Sequence, residues 1–263
     1  EGADELLAGY DKYKFMYYAE KFSPSFSSPL FNLMAGIFQN KIKMHRGLKL
    51  LGSKEGAKNA YLDFISVFTA SEKKKLYGRE LDDIQTALDE PERLVSKYLN
   101  DDKKGKDFLD RLLALDIETW LPNDVLLKND KMTMAHSLEA RVPFLDHIFA
   151  EKVMTIPNNL KLKGLREKYI LRKAMQGVIP EKIINRRKHG FSVPISLWMQ
   201  NGLKGYALSL LNKDRVLEMG FWNYSYIKNL LQKNLNNEFY RRQFWTILTF
   251  EVWHKVFIEN EYF

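Results

Sequence analysis

The sequence predicts a mainly α-helical fold, and three observations carry that reading. Apolar residues recur at helical spacing over most of the 263 residues. Glycine and proline number only 14 and 8, which favours long uninterrupted elements over a turn-rich β-sandwich. Strand signals are few: residues 193–195 are too short a run, and few stretches alternate with period two. No fixed-period repeat and no low-complexity linker divides the chain, so a single domain is expected.

Taken in order, residues 4–22 read as the first helix, with Leu6, Leu7, Tyr10, Tyr13, Phe15, Met16 and Tyr17 on a broad apolar face. The run from Ser23 to Pro29 breaks it. Helices fit residues 30–42 and 61–69. Ser71 is the expected N-cap of a short helix with Glu72 in its first turn and Gly78 at its end. Pro91 stands where a helix over 92–99 would start, the position proline tolerates best. Leu109, Leu112, Leu113, Leu115 and Ile117 mark a helix over 108–120, and Pro122 and Asn123 introduce one that continues to Met134. Further helices are expected at 143–154, 165–176, 181–186, 194–211, 224–234 and 237–258. The last, with Phe244, Trp245, Leu248, Trp253 and Phe257, reads as a buried or half-buried terminal helix whose aromatics are core.

Composition narrows the function classes. With 45% hydrophobic and 28% charged residues the chain is an ordinary soluble globular type, long enough to bury a core. The absence of cysteine excludes disulfides, thiolate metal sites and a cysteine nucleophile, and it fits a cytoplasmic protein. No apolar run reaches the roughly 18 residues of a membrane span, so no membrane partner is expected. The opening Glu1-Gly2-Ala3-Asp4-Glu5 has neither an initiator methionine nor signal-peptide character, as though the chain began partway through something longer. The net charge of +8 attracts polyanions, but much of the excess is lysine spread on helix surfaces, as at Lys73-Lys74-Lys75. No helix-turn-helix or RNA-recognition signature accompanies it, and no nucleic-acid partner is expected.

Three clusters are candidates for chemistry. Glu1-Gly2-Ala3-Asp4-Glu5 directly precedes a helix, where free backbone N–H groups favour anions and Gly2 permits close approach. Three carboxylates in five residues suit Mg²⁺ and a general base, though acidic residues also favour helix starts for their own sake. The second cluster runs from Leu121 to Asp146. Within it Lys128 and Lys131 share a helical face, Asp130 points elsewhere, and Glu139 and Arg141 precede Pro143. These residues either line a site or pair to order a crossing segment. His136 reads as a structural histidine. The third joins Lys168 to Arg186-Arg187-Lys188-His189-Gly190-Phe191-Ser192-Val193-Pro194, where Arg and Lys could clamp a phosphate. A basic loop on a basic protein is the other reading.

In order along the chain, these clusters resemble the asparagine synthetase family. Residues 1–10 look like the tail of its Ser-Gly-Glu-Gly-Ala-Asp-Glu motif, and residues 128–146 resemble its central Leu-Leu-Lys-x-Asp-(Arg/Lys)-Met-x-Met-Ala-x-Ser-Leu-Glu-x-Arg-x-Pro-Phe-Leu-Asp motif. Residues 186–194 are similar to its Arg-x-Lys-x-Gly-Phe-x-x-Pro loop. The resemblance implies the helical C-terminal half of an ATP-pyrophosphatase-type α/β domain, with most of the parallel sheet missing from residues 1–263. It implies a ligase using ATP and Mg²⁺, with aspartate or a similar carboxylate as substrate and ammonia from an upstream glutaminase domain. By the same resemblance Glu1 and Lys188 are catalytic, as general base and as stabiliser of the α-phosphate. Gly2, Ala3, Asp4 and Lys128 face the phosphates, with Asp4 on Mg²⁺. Asp130, Lys131, Glu139 and Arg141 form a supporting shell. The family's Ser-Gly-Gly-x-Asp-Ser phosphate loop is absent, so the chain alone is expected to be inactive. Without the sheet its apolar faces favour self-association, a homodimer being one form. The alternatives are amidation of another carboxylate, such as a polysaccharide sugar acid, β-lactam closure, which Glu1 speaks against, and a non-catalytic basic helical binding module.

Overall fold

The computed structural model describes residues 1–22, 61–62, 64–100, 107–186, 193–233 and 237–261. Its α-helices are α1 (Ala3–Leu6), α2 (Asp11–Phe22), α3 (Ala70–Leu76), α4 (Gln85–Leu99) and α5 (Phe108–Glu118). They continue with α6 (Leu127–Met134), α7 (His147–Met154), α8 (Asn158–Lys161), α9 (Tyr169–Ala174) and α10 (Glu181–Ile184). The series closes with α11 (Ile195–Gln200), α12 (Leu203–Leu210), α13 (Lys213–Met219), α14 (Tyr224–Leu231) and α15 (Glu238–Phe257). A π-helical turn, Leu121–Leu126, leads into α6, and 3-10 turns occupy Arg79–Ile84 and Pro143–Leu145. Among the described residues there is no strand, and β pairing is limited to the isolated bridges Tyr77–Trp222 and Lys163–Arg166. The fold is mainly α, as the sequence predicts. None of these helices is long and apolar enough to cross a membrane.

Contacts gather into two compact units. The first contains the described residues within 1–22, 61, 93–100 and 107–186, and the second those within 62, 64–92, 193–233 and 237–261. The units interleave along the chain, so no linker or composition shift marks them.

In the first unit α5 buries Phe108, Leu109, Leu112, Leu113 and Leu115, spacings that place them on one side of the helix. α1 and α2 both pack on α5. The helix expected over 4–22 is in fact two. Ala8 adopts a left-handed φ of 54°, and the Gly9 N–H donates to the Asp4 carbonyl at 2.8 Å, closing a tight turn between α1 and α2. Both helices bury apolar residues, so the periodicity runs through the turn without registering it. The helix expected over 165–176 shrinks to α9 because Lys168, at φ 50°, is its left-handed N-cap.

In the second unit α15 is half-buried. Phe244, Ile247 and Leu248 are buried with Leu210, Val216 and Ile227, while Trp253 and Phe257 face solvent. The cap of α3 is Thr69 rather than Ser71: its Oγ1 accepts the Glu72 N–H at 3.3 Å, and Glu72 Oε2 accepts the Thr69 N–H at 2.8 Å, a capping box. Pro91 lies inside α4, not at its start, because the Arg79–Ile84 turn has already set the chain winding. The helix expected over 194–211 divides at Gly202, whose φ is 121°. α8 and α13 are not anticipated by the sequence reading. α13 is capped by Asn212, whose Oδ1 accepts the Arg215 N–H at 2.9 Å. The helix expected over 30–42 falls outside the described residues.

Candidate functional site

The first motif folds into a turn held on several sides. Gly2 is buried at φ 86°, and a Cβ there would collide with the Leu145 side chain, so glycine lets the 143–146 segment of the central motif lie against the first. Asp4 Oδ1 meets Lys168 Nζ at 3.0 Å, and the Lys168 N–H donates to the Leu7 carbonyl at 3.2 Å. A Cβ at Gly9 would strike both Asp4 Oδ1 and Lys168 Cε, so the ion pair lies directly over that glycine. Glu1 is exposed beside this turn. α1 has only four residues, too few aligned peptides for the macrodipole of a long helix. What the turn offers instead is an acid and an amine side by side on strained backbone.

The other predicted residues are placed differently. Lys128 is exposed, and its Nζ lies 3.9 Å from Asp124 one turn earlier. Asp130 and Lys131 are exposed, and Glu139 pairs with Arg141 at 2.7 Å with both side chains largely in solvent. The described residues therefore do not bury these four as an inner shell. His136 is exposed, its Nδ1 3.1 Å from the Met132 carbonyl one helical turn earlier. Lys188 lies outside the described residues. Of the third cluster, Lys168 is the member brought to Asp4.

A buried polar hub beneath the turn escapes the sequence reading. Asp116 on α5 is 1% exposed, and its carboxylate accepts the Tyr13 hydroxyl at 2.5 Å, the Tyr61 hydroxyl at 2.9 Å and Lys12 Nζ at 2.7 Å. The Lys12 ammonium also sits over the rings of Tyr10, Tyr13 and Trp120. Glu5, equally buried, accepts the Tyr10 hydroxyl at 2.7 Å. Burial pushes the Glu5 carboxyl up, opposed by that hydrogen bond. Burial and then the Asp116 charge push Tyr13 and Tyr61 well up, so both phenols stay protonated donors. The legible signal was Asp116 itself, a charge at i+4 from Leu112 and i+3 from Leu113 on an apolar stripe.

In the second unit a separate network closes the end of α15. Buried Glu251 accepts the Trp222 indole N–H at 2.6 Å, and Arg215 Nε lies 3.5 Å from its other oxygen. Arg215 also donates twice to Glu259, at 3.1 and 2.7 Å, and His254 Nδ1 stands 3.0 Å from that carboxylate. Burial raises Glu251, whereas the hydrogen bonds from Arg215 hold Glu259 low.

Among the described residues no group of three His, Cys, Asp or Glu side chains is poised to hold a metal. A single carboxylate such as Asp4 could hold Mg²⁺ only together with substrate phosphates and water, since Mg²⁺ characteristically takes one or two carboxylates.

Comparison with known proteins gives these motifs a setting. The family model described as asparagine synthase matches residues 1–255. The chain is 32% identical to the glutamine-hydrolyzing asparagine synthetase 1 of Bacillus subtilis over 269 residues, covering 100% of this chain and 40% of that protein. It is 41% identical to the glutamine-hydrolyzing asparagine synthetase 3 of the same organism over 97 residues, or 37% of this chain and 16% of the relative. The amidase chyE of Penicillium rubens is 36% identical over 115 residues, 40% of this chain and 17% of that protein. Where the match covers the whole chain, the chain spans 40% of the relative's length. No solved structure matches it.

Proposed function

We propose that this chain, which belongs to the asparagine synthase family, supplies the C-terminal part of an ATP-dependent synthetase site that converts a carboxylate, aspartate's β-carboxylate foremost, into its amide. The observation that supports the proposal is the convergence of Asp4 and Lys168 over Gly9, a carboxylate and an amine of the two kinds that a magnesium–pyrophosphate group would call for. The substrate carboxylate oxygen attacks the α-phosphorus of ATP, and pyrophosphate departs. Ammonia then attacks the acyl carbon, AMP leaves, and a proton from the nitrogen passes to a base. Bound Mg²⁺ would neutralise charge on the phosphates.

In this reading Asp4 would hold the metal, while the Gly2 and Ala3 backbone N–H groups and Lys128 would face phosphate. Glu1 takes the ammonia proton, and Lys188 stabilises charge building at the α-phosphorus. Lys168 keeps the Asp4 carboxylate oriented until substrate arrives. Ammonia comes from a glutaminase domain, and the reaction belongs to the cytoplasm, a setting that the absence of cysteine suits. A second reading is amidation of a different carboxylic acid at the same site, and the likeness to a relative not named for asparagine accords with it. Aspartate-dependent exchange of labelled pyrophosphate into ATP by the complete enzyme tests the first reading, and the same assay with other carboxylic acids tests the second. Full exchange by residues 1–263 alone would refute the idea of a shared site.

A further inference from the structure

We propose that Asp116 is the positioning residue of the Asp4 turn, gathering Lys12, Tyr13 and Tyr61 on its buried carboxylate so that the start of α2, and through it the turn that carries Asp4, has one place to lie. The catalytic consequence rests on the reading above, whereas the structural consequence does not.

The linkage can be followed bond by bond. Lys12 and Tyr13 occupy the first turn of α2, and both reach the Asp116 carboxylate. The Tyr13 N–H donates to the Tyr10 carbonyl at 3.1 Å, and the Tyr10 hydroxyl donates to Glu5, the neighbour of Asp4. The Gly9 N–H then closes back on the Asp4 carbonyl. The turn thus has two anchors, Asp116 below α2 and Lys168 above Gly9. A turn containing a residue at left-handed φ, Ala8, does not hold that shape unaided, since such backbone persists only where its surroundings determine it. A carboxylate only 1% exposed with three donors is a strong constraint, because any donor that moves leaves a buried charge with fewer partners.

Tyr61 separates positioning from mere stability. It gives Asp116 one hydrogen bond, like Tyr13, yet is remote in sequence from the turn. In the chain as it stands, Tyr13→Phe and Lys12→Met are expected to raise the hydrogen-exchange rates of the Gly9 and Lys168 amides by about tenfold, and Tyr61→Phe by less than about twofold. In the complete enzyme, Tyr13→Phe is expected to raise the Mg²⁺ concentration for half-maximal ATP–pyrophosphate exchange by about tenfold more than Tyr61→Phe does. Equal effects of the two phenylalanine variants, or unchanged amides in Tyr13→Phe, would overturn the assignment. Wild-type enzyme that exchanges no pyrophosphate with any carboxylic acid would instead overturn the functional reading, and the amide measurements would still judge Asp116.

Discussion

Lys161→Met should make the protein more stable at neutral pH, although it deletes a positive charge that has an acid nearby. Lys161 is 2% exposed; its Nζ lies 3.8 Å from Asp110 Oδ1 and donates to the Met154 carbonyl at 3.4 Å. At an effective dielectric of about 20, a pair so spaced attracts by about 4 kcal/mol. Removing an ammonium from water costs several kcal/mol, recovered only with close geometry and further hydrogen bonds. Here both contacts are long. Burial lowers the Lys161 pKa and Asp110 restores only part of it, so desolvation wins. Methionine keeps the unbranched stem, and Asp110, about a third exposed, remains hydrated. The expected gain is about 1 kcal/mol, or roughly 2–4 °C in midpoint. The pH dependence fixes the sign. With the folded pKa below the unfolded one, protonation favours the unfolded chain, and wild-type stability rises as pH climbs from the folded value to about 10.5. The advantage of methionine is therefore largest near pH 7 and shrinks towards pH 10.5. Urea unfolding at both pH values measures it. A loss above about 1 kcal/mol at pH 7, or an advantage that grows with pH, would refute the reasoning.

Three further outcomes follow from particular contacts. Gly9→Ala drives a methyl into Asp4 and Lys168; it should destabilise by about 1–3 kcal/mol and reduce pyrophosphate exchange by the complete enzyme about a hundredfold. Arg215→Met strips the cation from buried Glu251 and from Glu259, with an expected cost near 3 kcal/mol by denaturant titration. Because Arg215 holds Glu259 low, that cost should be fully present above the ordinary carboxylate range and fade as pH falls through the folded value. Finally, Met132, Met134, Leu138 and Leu127 are each at least half exposed, so the chain alone should elute larger than a monomer in size-exclusion chromatography. A clean monomer would contradict this.

The sequence made the helices legible wherever one apolar face persists, as over α5 and α15, because burial of a stripe is what periodicity reports. It was silent on breaks that apolar spacing spans, such as the Ala8–Gly9 turn, whose cause is a positive φ and a glycine beneath an ion pair. Motif recognition found Gly2 and Asp4 as a pair of neighbours. It had no access to Lys168, brought to Asp4 by tertiary packing across more than half the chain, as its partner. Asp116 was hidden for the opposite reason: a single charge on an apolar stripe announces a buried partner without naming it. Glu139 and Arg141, only two apart, were readable as neighbours, and their pairing in solvent is consistent with that spacing. An inner-shell role depends on a surface that spacing cannot describe.

The exposed stretch is where fold and proposed function press on the same point. α6 buries none of its eight residues, and a helix of two turns is not stable on propensity alone, since its nucleus is costly and its length short. The preceding π turn buries Leu121 and Val125 and holds one end, but from Leu127 onwards side chains of both kinds face outward: Lys128, Asp130 and Lys131 beside Met132, Met134 and Leu138. A solvated helix would have no use for that apolar set, and a core helix no use for those charges. Apolar and ionic groups interleaved on one exposed segment fit a surface that another surface covers. The described residues do not provide the opposing wall. In an assembly that supplies it, α6 should be among the segments whose amide exchange slows most.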